Sequence, residues 1–208
     1  MVEIILVRHG LTLWNRTARI QGISDVKLSE EGLRQAKLLA EKFPFDSVDA
    51  IYSSDLARAK FTAQFIADKF NLPLNIDEDF REVNFGAWEG KTFAEIEEID
   101  AERLKIFHTS PDKLVIEGAE TFQQAQVRAM NAIKKLVARH ESENFSRIVV
   151  VTHGCIIRTI ICGILEVPLK NMWRIRQHNT GVTAIHTYDN YFTMSLFNST
   201  VHLTKDLL

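Results

Sequence analysis

Two histidines in this chain stand directly before a glycine at the end of an apolar run: His9 in Arg8-His9-Gly10 and His153 in Thr152-His153-Gly154. A third polar cluster, Ser54-Asp55-Leu56-Ala57-Arg58, follows another such run. Arg8 and Arg58 are permanent cations whose planar forks match phosphate or carboxylate oxygens and repel a metal ion. A pocket that holds both therefore binds an anion. Glycines let backbone approach that anion closely, and helices beginning near Gly10, Asp55 and Gly154 would aim N–H groups at the same point. In such a field a histidine either donates hydrogen bonds as imidazolium or attacks phosphorus as neutral imidazole. Spacing alone leaves open which histidine does which. We assign attack to His9, set between Arg8 and Gly10, and donation to His153. A lone histidine is more often a structural group, but two at matching positions favour a site. The remaining histidines, 108, 140, 178, 186 and 202, lack metal-ligand spacing.

The elements that must position these groups follow from periodicity. Residues 3–7 and 147–151 are apolar, β-branched runs that read as buried strands, and residues 50–53 and 74–76 as two more. Ser29, followed by Glu30 and Glu31, caps a helix whose apolar positions are Leu33, Ala36, Ala40 and Phe43, with Pro44 just past its end. Helical spacing recurs after Asp55, over residues 121–140 and over 156–165. A closing pair of strands, 182–187 and 191–197, is expected around Asp189-Asn190. Residues 80–113 show no clean period and gather Phe85, Trp88, Phe93 and Phe107, aromatics that read as core more often than as a specificity wall. Strands alternating with helices predict an α/β fold: a three-layer α/β/α sandwich with a mainly parallel sheet. A small helical or loop cap, about residues 81–117, would lie over the C-terminal strand edge of a single domain, 1–208. Ligands bind at that edge in such sheets, which is where all three polar clusters fall.

Composition narrows the partners. Lys plus Arg number 25 against 27 Asp plus Glu, a formal charge of -2, so no basic field advertises nucleic acid or an anionic membrane. The longest apolar stretch, 155–165, is short for a bilayer and carries Arg158. No secretion signal is read at Met1-Val2-Glu3. Cys155 and Cys162, seven residues apart, suit small buried hydrophobes, with Cys155 an inert packed thiol. The cytoplasm is the expected compartment, and a homodimer is left open.

The ordered set of motifs resembles the histidine phosphatase superfamily, the phosphoglycerate mutase-like group. The resemblance lies in Leu6-Val7-Arg8-His9-Gly10-Leu11-Thr12-Leu13-Trp14-Asn15, Arg19-Ile20-Gln21-Gly22 with Asp25, and Leu28-Ser29-Glu30-Glu31-Gly32. It continues through Ser53-Ser54-Asp55-Leu56-Ala57-Arg58-Ala59, Phe80-Arg81-Glu82, Gly86-Ala87-Trp88-Glu89-Gly90 and Thr152-His153-Gly154. Gly118-Ala119-Glu120-Thr121 departs from it, with alanine in place of a second glycine. The resemblance implies that His9 is phosphorylated, that Arg8, Arg58, His153 and Gly154 hold the phosphoryl group, and that Asn15, Gln21 and Gly22 line the same pocket. It also points to Glu82 as proton donor. An alkoxide leaving group needs a proton, and a half-buried carboxyl can supply it and then deprotonate the attacking water. Asp77, Glu78, Asp79 and Glu89 are neighbouring alternatives from sequence alone.

The expected activity is hydrolysis of a small phosphorylated metabolite, metal-independent and without cofactor, with likeness to the broad-specificity and α-ribazole phosphatase branch. A mutase is the alternative, and would line the cap with extra cations from Lys91, Arg103, Lys105 and Lys113. A silent phospho-ligand binding module is the alternative of another class. Truncating Arg8 or Arg58 to alanine is expected to raise the barrier by roughly 3–4 kcal/mol without unfolding the chain.

Overall fold

The structure, a computed structural model, describes residues 1–141, 145–188 and 191–207. One six-stranded sheet runs in the order β3-β2-β4-β1-β5-β6. Its strands are β1 (Val2–Arg8), β2 (Ala50–Ser53), β3 (Leu74–Ile76), β4 (Ser146–Thr152), β5 (Val182–Tyr188) and β6 (Tyr191–Ser199). The first four are mutually parallel, whereas β5 runs antiparallel beside β1 and β6 antiparallel beside β5. The Asp189-Asn190 turn expected between β5 and β6 lies outside the described residues.

Side chains alternate across β1 and β4 because the pleat has a period of two. Ile4, Leu6, Ile148 and Val150 join one core, and Ile5, Val7, Val149 and Val151 the other. The second core is covered by α2 (Glu30–Glu41) and α3 (Ala57–Phe70). The first is covered by α4 (Phe93–Thr109), α5 (Phe122–His140) and α6 (Gly154–Ile164), after a four-residue α1 (Leu13–Arg16) on the loop from β1. Three layers result. Each fully buried Ile, Leu or Phe contributes roughly 1.5–3 kcal/mol, so the sheet's two faces hold the edge residues on a stiff platform.

Local signals explain the helix starts. Ser29 accepts a hydrogen bond from the Gly32 N–H, and Thr121 forms a capping box with Gln124. Two expectations need correction. No helix begins at Gly10: the chain leaves β1 as a loop and only turns helical at Leu13. The stretch from 80 to 113 is more ordered than its pattern suggested, since it contains α4, begun by a Thr92–Glu95 capping box. Among the described residues, no helix is long and apolar enough to cross a membrane.

Candidate active site

Arg8 pairs in register with Thr152, and Ser53 with Val151, so the ends of β1, β2 and β4 lie side by side. The chemical groups follow from that register. His9 is 2% exposed, and its N–H donates to the Thr152 carbonyl at 3.0 Å. The Gly10 N–H donates to Thr62 Oγ1 at 3.0 Å, which anchors the loop to α3. The His9 and His153 rings lie 5.2 Å apart, centre to centre.

The His9 tautomer follows from its partner. Nδ1 lies 2.7 Å from the Gly10 carbonyl, which only accepts, so Nδ1 carries the proton and Nε2 keeps its lone pair. Burial, then the Arg58 and Arg8 charges, hold the imidazole pKa well below its usual 6.5. His9 is therefore a neutral base at physiological pH. The guanidinium groups pay part of the same desolvation: burial lowers Arg8 and Arg58 to about 10, and both remain cations.

Arg58, fully buried, donates to the carbonyls of Gly22 (2.6 Å) and Ser24 (2.7 Å), and its Nε to His153 Nδ1 (3.2 Å). With Nδ1 accepting, His153 carries its proton on Nε2, 2.9 Å from Ser54 Oγ. Burial, then Arg58, His9 and Arg8, push its pKa well below 6.5. This differs from the imidazolium expected of His153. Both nitrogens face protein partners, and neither His153 nor Gly154 lines the cavity. Gly154 lies beneath Arg8 instead, where a β-carbon would stand 3.2 Å from Arg8 Nε.

The cavity over His9 has a volume of about 310 Å³, and Arg8, Asn15, Gln21, Gly22, Arg58 and Glu82 all reach its wall. Gly22 has φ +52°, a left-handed conformation that favours glycine. Glu82 accepts from the N–H groups of Cys155 (3.1 Å) and Ile156 (3.3 Å), at the start of α6. The neighbouring carboxylates are otherwise engaged. Glu89 holds the N–H groups of Ile23, Ser24 and Phe85, Asp77 caps a turn, Asp79 meets Lys135, and Glu78 meets Arg81. Of the five, Glu82 alone lines the cavity.

Sequence reasoning missed part of the wall. Phe85, Phe93 and Phe107 line the cavity as well as packing the core, joined by Trp14, Trp173 and Arg19. Trp88 does not, because its indole N–H is turned to Asp100 Oδ2 at 3.0 Å. Trp173 sits in a short 3-10 helix, Leu169–Arg174, without a motif. Cys155 also lines the wall, and burial and then Glu82 raise its thiol pKa beyond the usual range, in keeping with an inert thiol. Among the described residues, no cluster of three or more His, Cys, Asp or Glu could hold a metal ion.

A neutral imidazole with one free nitrogen, beside two buried guanidinium groups and a carboxyl, describes a phosphotransfer enzyme that works through a covalent histidine. Residues 4–200 match the family model of the histidine phosphatase superfamily, branch 1. Phosphoserine phosphatase 1 of Hydrogenobacter thermophilus is 33% identical, over 98% of this chain and 95% of that protein. The metal-independent phosphoserine phosphatase of Arabidopsis thaliana is 35% identical, over 99% of this chain and 84% of that protein. A phosphoserine phosphatase of Entamoeba histolytica, solved in complex with phosphoserine, superposes with a TM-score of 0.86 at 33% identity, covering 98% of this chain and 100% of that one. The chain belongs to the histidine phosphatase superfamily, and its activity is that of a phosphomonoesterase acting through phosphohistidine.

Proposed function

We propose that this chain hydrolyses small phosphorylated metabolites, L-phosphoserine first among them, at the cavity over His9. The observation that carries this reading is the His9 Nδ1–Gly10 hydrogen bond, which leaves Nε2 as the attacking atom beside Arg8 and Arg58. Nε2 forms a bond to phosphorus as the ester P–O bond breaks, and Glu82 gives its proton to the departing oxygen. The Glu82 carboxylate then takes a proton from water as that water displaces His9 Nε2 and releases phosphate. Arg8, Arg58, Asn15, Gln21 and Gly22 hold the phosphoryl oxygens. His153 holds the Arg58 fork, and Gly154 makes room for Arg8.

Serine as leaving group suits the remaining wall. Arg19, whose Nη1 is held by Glu95 and the Gly90 carbonyl, has its remaining N–H groups for a carboxylate, and Trp14 offers cation–π contact to an ammonium, whereas Trp173 already carries the Arg158 guanidinium over its ring. Lys91, Arg103, Lys105 and Lys113 are not among the lining residues, which favours hydrolysis over the mutase reading. We read residues 1–208 as a single domain with residues 81–117 as its cap, a reading supported by the single six-stranded sheet and by Glu82, Phe85, Phe93 and Phe107 in the cavity wall. We place it in the cytoplasm, apart from nucleic acid and membrane, and a homodimer is compatible with this site.

Phosphate release from L-phosphoserine, 3-phosphoglycerate and α-ribazole phosphate, measured in excess chelator, tests the proposal. Turnover should persist, favour L-phosphoserine and vanish in His9→Ala, with acid-labile, base-stable phosphate trapped on the unaltered chain. Activity that chelator abolishes and a divalent cation restores would overturn the mechanism. Binding without turnover would support the silent module.

A further inference from the structure

We propose that Asn179, a residue outside the motifs above, is a positioning residue that fixes which end of the Asn15 amide meets the phosphoryl group. The inference rests on the reading of the cavity as a phosphoryl site and adds the device that orients it. Residues 177–181, which lead into β5, fasten the loop after β1 through a set of hydrogen bonds. Arg8 Nη1 donates to the Gln177 carbonyl (2.7 Å), the Arg8 N–H to the Gly181 carbonyl (3.2 Å), and the Thr180 N–H to the Arg8 carbonyl (3.0 Å). Between them, Asn179 Nδ2 donates to the His9 carbonyl at 2.9 Å and lies 3.4 Å from Asn15 Oδ1.

That second contact decides an orientation. Asn15 Oδ1 also meets the Thr12 N–H at 3.1 Å, so two N–H donors converge on one oxygen, while the Thr12 hydroxyl, 3.1 Å from Asn15 Oδ1 and 3.0 Å from Gln21 Oε1, has one proton for those two acceptors. Rotating the Asn15 amide by half a turn would set its NH₂ against the Thr12 N–H and the Asn179 NH₂, donor against donor. Asn15 therefore keeps Oδ1 toward these groups, and Nδ2 becomes the end available to the cavity that Asn15 lines. A donor held in advance at an anion site stabilises charge without reorganising when the reaction occurs.

The backbone beneath Asn179 is held as well. Thr180 has φ +54°, a left-handed conformation that a β-branched residue disfavours. Its N–H on Arg8 and the His202 Nε2 contact to its Oγ1, at 2.9 Å, keep it there. Asn179 thus joins His9 and Asn15 in a single arrangement, through a side chain that does not itself line the cavity.

The test is a double-mutant cycle with two readouts: inhibition by inorganic phosphate and the single-turnover rate of phosphohistidine formation. Asn15→Ala and Asn179→Ala should each weaken phosphate inhibition and slow phosphorylation about tenfold. Because both act through one amide, the double variant should be no more than about twofold worse than either single one. Asn179→Asp, which keeps the shape and replaces the donor with an acceptor, should lose at least as much as Asn179→Ala, assayed at a temperature where both variants are folded. Multiplying effects in the double variant would overturn the positioning role, as would phosphate inhibition in Asn179→Asp equal to that of the unaltered chain. An unaffected Asn15→Ala would instead overturn the phosphoryl-site reading, and the proposal with it.

Discussion

Replacing Arg58 by methionine keeps most of the stem and removes the guanidinium, so it separates two consequences of one buried charge. The first is structural. The Gly22 and Ser24 carbonyls and His153 Nδ1 lose their donors, and each buried acceptor left unpaired costs about 1–3 kcal/mol. Release from the desolvation of a buried cation offsets part of that, and water reaches Gly22 through the cavity wall. The net loss should be about 2–4 kcal/mol, or roughly 5–15 °C in melting temperature for a chain of this size. The sequence leads us to expect that the chain stays folded without this arginine; the two carbonyls add the expectation that it does so at lower stability. The second consequence is catalytic. Removing a charge-stabilising donor should lower kcat about 10²–10³-fold. Arg58 is also the largest charge holding the His9 pKa down, so without it that pKa rises and the acid limb of kcat/KM moves to higher pH. Calorimetry and a pH-rate profile on the same preparation read both effects. Turnover within threefold of the unaltered enzyme, or an acid limb that does not move, would refute the reasoning.

Acid should destabilise the fold through its histidines. His9 and His153 are buried with pKa values held well below 6.5, and His202 is lowered to about 4 by burial and then by Lys42. As pH falls below about 6.5 the unfolded chain takes up protons that the folded chain refuses, so stability falls by up to about 1.4 kcal/mol per pH unit for each. For His202 that window closes near 4. Urea midpoints should be flat above pH 7 and fall steeply toward pH 5; a level profile would contradict the burial argument. Glu82→Gln should separate the two half-reactions. An alkyl ester should react about 10²–10⁴-fold more slowly, whereas p-nitrophenyl phosphate, whose leaving group needs no proton, should release one burst of nitrophenolate per enzyme before hydrolysis stalls. Rapid-quench measurement without a burst would remove Glu82 from the second step.

Much of this site was legible because its parts are local. The polar clusters terminate β-branched runs, and parallel pairing of β1, β2 and β4 then brings Arg8, Arg58 and His153 to one edge. Helix α4 was hidden for a definable reason. Its buried residues, Ile96, Leu104 and Phe107, leave an expected apolar slot at Asp100, whose backbone departs from helical geometry and whose carboxylate meets Trp88 and Arg103. The Thr92–Glu95 capping box was a signal that could have located its start. Trp173 and Asn179 had no such signal, because tertiary contact alone gives them their roles.

The strand order also has a consequence for how the molecule is made. His9 directly follows the first strand, but that strand lies between β4 and β5, and the loop after it is fastened by residues 177–181 and, through Thr180, by His202. During synthesis His9 is made more than a hundred residues before Thr152, His153 and Asn179, the later part of its surroundings. Contacts so distant in sequence are slow to close, so a nascent or truncated chain has the reactive imidazole without the means to use it.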